Sequence, residues 1–202
     1  MLKKQMERYL EELLNEQKND SKQIGLFKEE KEYMERHQLF DNGNVTYIEN
    51  DPSSRFSDVY IEVCDKETEE LLTEEDATFL NESLSYLMKH KNQFIYLESD
   101  YFDIIGVDAI SLEVDDVFGT YDVMLGLKLQ KKYEPLIKSY LSNTLQGDSA
   151  KFDLMFSQAD GLWDLNFTLN YVNGFKEEMT LQEAYQLIYS FIFALCEAIE
   201  AA

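Results

Sequence analysis

Residues 152–171 read FDLMFSQADGLWDLNFTLNY. Phe152, Leu154 and Phe156 recur every second position. Ala159-Asp160-Gly161 then breaks the run. Trp163, Leu165, Phe167, Leu169 and Tyr171 follow in alternation with Asp164, Asn166, Thr168 and Asn170. A period of two on both sides of an Asp-Gly predicts an antiparallel hairpin, because successive strand side chains point to opposite faces. One face of that hairpin is apolar and needs cover, and the other is polar and faces water.

Downstream, Asn173-Gly174 ends the pattern and Thr180-Leu181-Gln182-Glu183 forms a capping box. It opens a helix to about Glu200 whose stretch from Leu187 to Cys196 is apolar on nearly every face. Such a helix is central in a core or shared with a second subunit. Tyr185, Tyr189, Phe193 and Ile199 add more apolar surface than one small sheet covers, so a homo-oligomer formed through this helix is a candidate.

Upstream, Phe94–Leu97 reads as a buried strand, and Ile110, Leu112 and Val114 as a half-buried one. Val123, Leu125, Leu127 and Leu129 make a third, followed by a helix over Tyr133–Leu145 with Pro135 in its first turn. Earlier still, Thr73-Glu74-Glu75-Asp76 resembles a capping box. It predicts a helix to about His90 that buries Ala77, Leu80, Leu84, Leu87 and Met88. Phe56, Val59, Tyr60, Val63 and Cys64 match helical spacing after Asp51-Pro52, against three alternating positions, Val59, Ile61 and Val63, for a strand. Helix is therefore expected there. Leu2, Met6, Tyr9, Leu10, Leu13 and Leu14 form one stripe of an amphipathic helix, which Asn19-Asp20-Ser21 ends. A second helix is expected over Ser21–Gln38, using Ile24, Phe27, Tyr33 and Met34; then come an Asn42-Gly43 turn and a short strand around Val45 and Tyr47.

Helices first and strands later predict an α+β fold. The expected core is a mainly antiparallel sheet of about four or five strands, packed by the apolar C-terminal helix. Residues 1–202 read as one domain, with a helical part over 1–91 and a sheet-containing part over 92–202. The order strand–helix–strand–strand–helix after residue 120 resembles that of secretion-chaperone folds. Those proteins bind partners and are often acidic, so the resemblance implies a partner-binding role.

Forty acidic against eighteen basic residues give a net charge of −22. Such a field repels nucleic-acid backbones and anionic membrane surfaces, and attracts basic proteins or divalent cations. Glu7, Arg8, Glu11 and Glu12 interrupt any apolar leader near the N-terminus, and two cysteines make no disulfide framework, so a cytoplasmic chain is expected. No two glycines stand closer than Gly119 and Gly126, which excludes the usual phosphate-cradling loops. His37, His90, Cys64 and Cys196 lie far apart in sequence, without zinc-ligand or catalytic spacing.

The segment Asn92–Leu127 holds no lysine or arginine. Its carboxylates Asp100, Asp103, Asp108, Glu113, Asp115 and Asp116, with Tyr101 and Tyr121 among them, are the candidate binding residues. The plain reading is a solvated surface. The sharper one is an acidic, aromatic face for a basic protein, since rings anchor and charges steer. A second basic-free stretch, Phe152–Phe175, offers Asp153, Asp164, Asn166 and Asn170 to the same face if both stretches share one sheet. The expected function is that of a non-catalytic binding factor (inhibitor, immunity-type protein, adaptor or chaperone-like) that needs no cofactor. The alternative is a hydrolase-like enzyme in which Glu113, Asp115 and Asp116 hold Mg²⁺ or Ca²⁺. Charge mimicry of nucleic acid is a third reading.

Overall fold

The computed structural model describes residues 1–16, 23–39, 45–147 and 152–202. Its first elements are α1 (Leu2–Glu16), β1 (Gln23–Leu26), α2 (Lys28–His37), β2 (Thr46–Glu49), β3 (Tyr60–Asp65), β4 (Leu71–Glu75) and α3 (Tyr86–Lys89). There follow β5 (Gln93–Glu98), α4 (Phe102–Ile105), β6 (Val107–Val114), β7 (Tyr121–Leu127), α5 (Glu134–Thr144), β8 (Phe152–Ser157), β9 (Leu162–Thr168) and α6 (Leu181–Glu200). The large sheet has seven strands in the order β4-β3-β5-β6-β7-β9-β8, each antiparallel to its neighbours. β1 and β2 pair in parallel as a separate ribbon. The fold is α+β, as expected, with more strands than the four or five predicted.

The hairpin β8–β9 turns at Gly161, whose φ of 71° is the left-handed conformation that glycine adopts without steric cost. Ser157 and Asp160 brace the turn through a 2.6 Å side-chain bond. The extra strands come from residues read as helix. After a 3₁₀ turn at Pro52–Ser54 the chain runs extended as β3, with Ile61 and Val63 buried and Tyr60 and Glu62 facing away. Pairing to β5 on one side and β4 on the other supplies backbone partners along both edges. That long-range gain outweighs a local helical match of five positions.

The presumed capping box at Thr73–Asp76 is divided. Thr73, Glu74 and Glu75 belong to β4, while Asp76 caps a 3₁₀ turn at Ala77–Asn81 by accepting from the Thr78 N–H at 2.8 Å. No continuous helix follows, because Ser83 bridges to Thr180 and the Leu84 N–H donates to Met179 O at 2.8 Å. Leu80, Leu84 and Leu87 are nonetheless buried. The second helix starts at Lys28, and Ile24 lies in β1 opposite Tyr47. Asn19-Asp20-Ser21 and Asn42-Gly43 lie outside the described residues.

α6 crosses the inner face of the sheet. Its capping box closes as the sequence predicts, with Thr180 and Glu183 bonding each other's backbone N–H. The Tyr185 hydroxyl donates to Ile95 O at 3.1 Å, and Phe191 packs on Phe167 with ring centres 5.1 Å apart. On its other side Phe193 meets Tyr33 of α2 at 5.8 Å, and Glu197 takes a two-pronged bond from Arg36 at 2.9 and 3.0 Å. The helix carries large apolar residues on several faces because it packs against the sheet on one side and α2 on another. Tyr185, Tyr189, Phe193 and Ile199 are all buried within the chain. These four residues, on which the expectation of an oligomer rested, belong to the core of the chain itself.

Among these packed elements sits a buried ion cluster. Arg55 is 4% exposed and lies between the rings of Phe27 and Tyr189, 4.2 and 4.0 Å from their centres. Its guanidinium bonds Glu30 at 2.5 and 3.1 Å and Glu29 at 2.6 Å. Tyr189 donates to Glu30 at 2.5 Å, and the Ser190 hydroxyl bonds Glu29. Burial works against the guanidinium's charge, but Tyr189, Glu30 and Glu29 more than offset it and raise its pKa. Among the described residues no helix is long and apolar enough to cross a membrane.

Candidate acidic interface

The sheet face turned away from α6 is built in rows by cross-strand register. The middle row runs Glu74–Glu62–Tyr96–Ser111–Met124–Asn166–Asp153 from one edge strand to the other. On one side of it lie Tyr60–Glu98–Ala109 and, past an irregularity in β6, Gly126–Asp164–Met155. On the other side lies Cys64–Phe94–Glu113–Asp122–Thr168. Residues between these positions point into the core and are mostly buried. The outward ones are half-buried or exposed, apart from Cys64 and Thr168, and Met155 reaches 64% exposure. Among the described residues no outward strand position carries a lysine or arginine.

Like charges meet on this face. Glu62 and Glu74 are direct cross-strand partners, an arrangement that costs stability. Tyrosines moderate it: Tyr60 donates to Glu62 at 2.5 Å and to Glu74 at 3.4 Å, and Tyr96 donates to Glu98 at 2.6 Å. Tyr96 is pushed up to about 12 by burial and then by its bond to Glu98. Tyr60 is raised chiefly by its bond to Glu62. Both phenols therefore keep their protons at neutral pH and stabilise anions that have no salt bridge among the described residues. Glu113 and Asp122 form a second like-charge pair, where Lys66 reaches in from the β3–β4 turn to 3.3 Å from Glu113. Burial still raises the Glu113 carboxyl above its usual value, against the pull of Lys66.

The candidate residues fall into two groups at opposite ends of β6. Asp108 and Glu113 are separated by about 17 Å at the usual rise of an extended strand. Asp100, Tyr101 and Asp103 line a cleft of about 550 Å³, together with Arg8, Tyr9 and Asp58. A neighbouring cleft of about 430 Å³ shares Asp58, Asp100 and Asp103 and adds Tyr60, Glu98 and Asp108. Asp103 faces Arg8 at 3.5 Å, and Asp108 pairs with Lys128. Tyr101 packs edge-on against Phe27 and Tyr9.

At the far end the candidates have other work. Asp115 accepts from the N–H groups of Val117 and Phe118 at 2.8 and 2.7 Å and shapes the β6–β7 turn. Asp116 lies 3.8 Å from Lys66. Tyr121 is 3% exposed and packs against Phe175, so it belongs to the core and not to a binding surface. The Mg²⁺ or Ca²⁺ set Glu113, Asp115 and Asp116 is not assembled: the Lys66 ammonium occupies the space between Glu113 and Asp116, and Asp115 is committed to its turn. Among the described residues no group of three or more His, Cys, Asp or Glu side chains is arranged to hold a metal ion.

His37 and His90 stack on Tyr33 and Tyr86 of their own helices. Cys196 donates to Ile105 O at 3.5 Å, and burial pushes its thiol up to about 12, an unreactive state. The outward residues Tyr60 and Glu62 escape a sequence reading because Phe56–Cys64 match helical spacing, and Glu74 because Thr73–Asp76 resembles a capping box; the alternation of Val59, Ile61 and Val63 is the signal that finds the first two. Lys66 could not be placed by spacing, since a segment free of cations in sequence is not free of them in space. Comparison with protein-family models, with curated proteins and with solved structures finds no match to the chain.

Proposed function

We propose that this chain is a non-catalytic cytoplasmic binding factor that captures a basic protein on the outer face of its seven-stranded sheet. One observation carries the reading: the outward face gathers seven carboxylates, two phenols and two thioethers among small, polar and aromatic side chains, and among the described residues no outward strand position is cationic, with Lys66 reaching the face from a turn at one end. Protein interfaces favour this combination, because Tyr, Phe and Met supply contact area while charges speed encounter and reject wrong partners. The clefts around Asp100 extend the negative surface beyond one end of the face. Cys64 and Cys196 are both free, buried thiols, which suits a reducing compartment.

The test uses labelled peptides of equal length that differ in net charge, titrated against the full chain by fluorescence anisotropy. The cationic peptide is expected to bind and to lose affinity steeply with salt, and Glu62→Lys with Glu98→Lys is expected to weaken it without lowering the melting temperature. Equal binding of neutral and anionic peptides, or indifference to the two reversals, overturns the reading.

A further inference from the structure

The outer face is uneven, and its relief selects a shape of partner. The central strands β6 and β7 present the small residues Ala109, Ser111 and Gly126, whereas β5 on one side presents Phe94 and Tyr96. On the other side β9 and β8 present Leu162 and Met155, and Leu162 leans so close that a Cβ at position 126 would meet it at 3.4 Å. Side-chain size at these register positions implies a shallow trough along β6 and β7, with Leu162 over Gly126 at one end and Glu113 with Lys66 at the other. β5 and β9 stand three strand spacings apart, about 14 Å, and a helix with its side chains is about 10–12 Å across.

Resting on the proposed binding role, we infer that the trough receives an amphipathic helix of the partner, with lysines or arginines on both flanks of an apolar stripe. Met124 lies mid-floor as an adaptable apolar contact. Carboxylates border both sides: Glu98 on one wall with Glu62 beyond it, and Asp164 on the other with Asp153 beyond it. A helix fits better than an extended peptide for a further reason. The strands around the trough already spend their backbone hydrogen bonds on each other. An extended peptide laid on the face would bury unpaired N–H and C=O groups, whereas a helix satisfies its own. A second copy of this chain, equally acidic on this face, is repelled.

The test compares three synthetic peptides: an amphipathic leucine–lysine helix, a scrambled isomer of identical composition, and a leucine–glutamate counterpart. Each is titrated against the full chain, with peptide helicity followed by circular dichroism. The amphipathic cation is expected to bind at least about tenfold more tightly than its scrambled isomer and to gain helicity on binding. Ser111→Arg, which fills the floor and adds a cation, is expected to abolish the preference, and Met124→Ala to reduce affinity severalfold. Asp164→Lys, at an exposed position, is the companion variant should Ser111→Arg melt below the parent, and is expected to reduce affinity severalfold. Equal binding of the amphipathic and scrambled cations overturns the helix inference and leaves the acidic-face reading standing. Failure of both cations overturns both. Unchanged binding by a well-folded Ser111→Arg or Asp164→Lys protein removes the helix from the trough.

Discussion

Glu29 and Glu30 share Arg55 inside the fold, while Glu62, Glu74 and Glu98 stand on the sheet's outer face with tyrosine hydroxyls and, among the described residues, no cation as partners. The same side-chain chemistry is handled in opposite ways. Inside, dehydrated carboxylates without a cation would cost several kcal/mol, so the fold brings them a guanidinium that is itself held between two ring faces. Outside, water screens the charges, and leaving them uncompensated costs little. The contrast separates charges needed to fold from charges available to a partner.

The sharpest way to break this comparison is to remove the buried cation. Arg55→Ala leaves Glu29 and Glu30 without their shared cation and is expected to destabilise the protein by about 3–5 kcal/mol, read from chemical denaturation. Replacing the fully buried pair with apolar groups, Arg55→Met with Glu30→Leu, is expected to lose less than Arg55→Ala alone, because only the half-buried Glu29 then lacks its cation. Tyr189→Phe removes the 2.5 Å bond to Glu30 and is expected to cost about 1.5–3 kcal/mol.

Glu113 lies between the two regimes, half-buried on the outer face beside Lys66. Its folded pKa is raised above the ordinary 4.5, chiefly by burial, so the folded state holds this proton more tightly than the unfolded state. Stability from this group therefore rises as pH falls from above the raised value toward 4.5, and is lost as pH climbs back through it. Glu113→Gln is expected to flatten that part of the stability–pH profile, measured by thermal melts across the window. The smallest effect belongs to the outer face: Glu74→Gln relieves the cross-strand repulsion with Glu62 and is expected to gain a few tenths of a kcal/mol at low salt and nothing at high salt. A large loss on Glu74→Gln would place these carboxylates with the structural set and undo the distinction.

Much of the fold was legible. The alternation around Asp160-Gly161 located β8 and β9, the runs Phe94–Leu97 and Ile110–Val114 located β5 and β6, and Thr180–Glu183 located the start of α6. β3 and β4 were not legible, because two templates fitted Phe56–Cys64, Thr73–Asp76 resembled a capping box, and the deciding partners, β5 and the neighbouring hairpin strand, lie elsewhere in the chain or depend on each other. The candidate site was legible as a region and not as a set. Asp100, Tyr101, Asp103 and Asp108 do gather around adjoining clefts, whereas Glu113, Asp115 and Asp116 sit at the other end of β6. The tyrosine at position 121 looks like its neighbours in composition, but it falls on the inward parity of β7.

By itself the sequence determined the net charge, the antiparallel hairpin, the capped C-terminal helix and the inward or outward parity of the later strands, because each depends on residues within a few positions of one another. Only the tertiary structure decided that Arg55 lies against Glu30, that Lys66 interposes beside Glu113, and that carboxylates from both halves of the chain share one face. Those outcomes depend on backbone pairing and charge compensation between residues distant in sequence, and local periodicity carries no information about either.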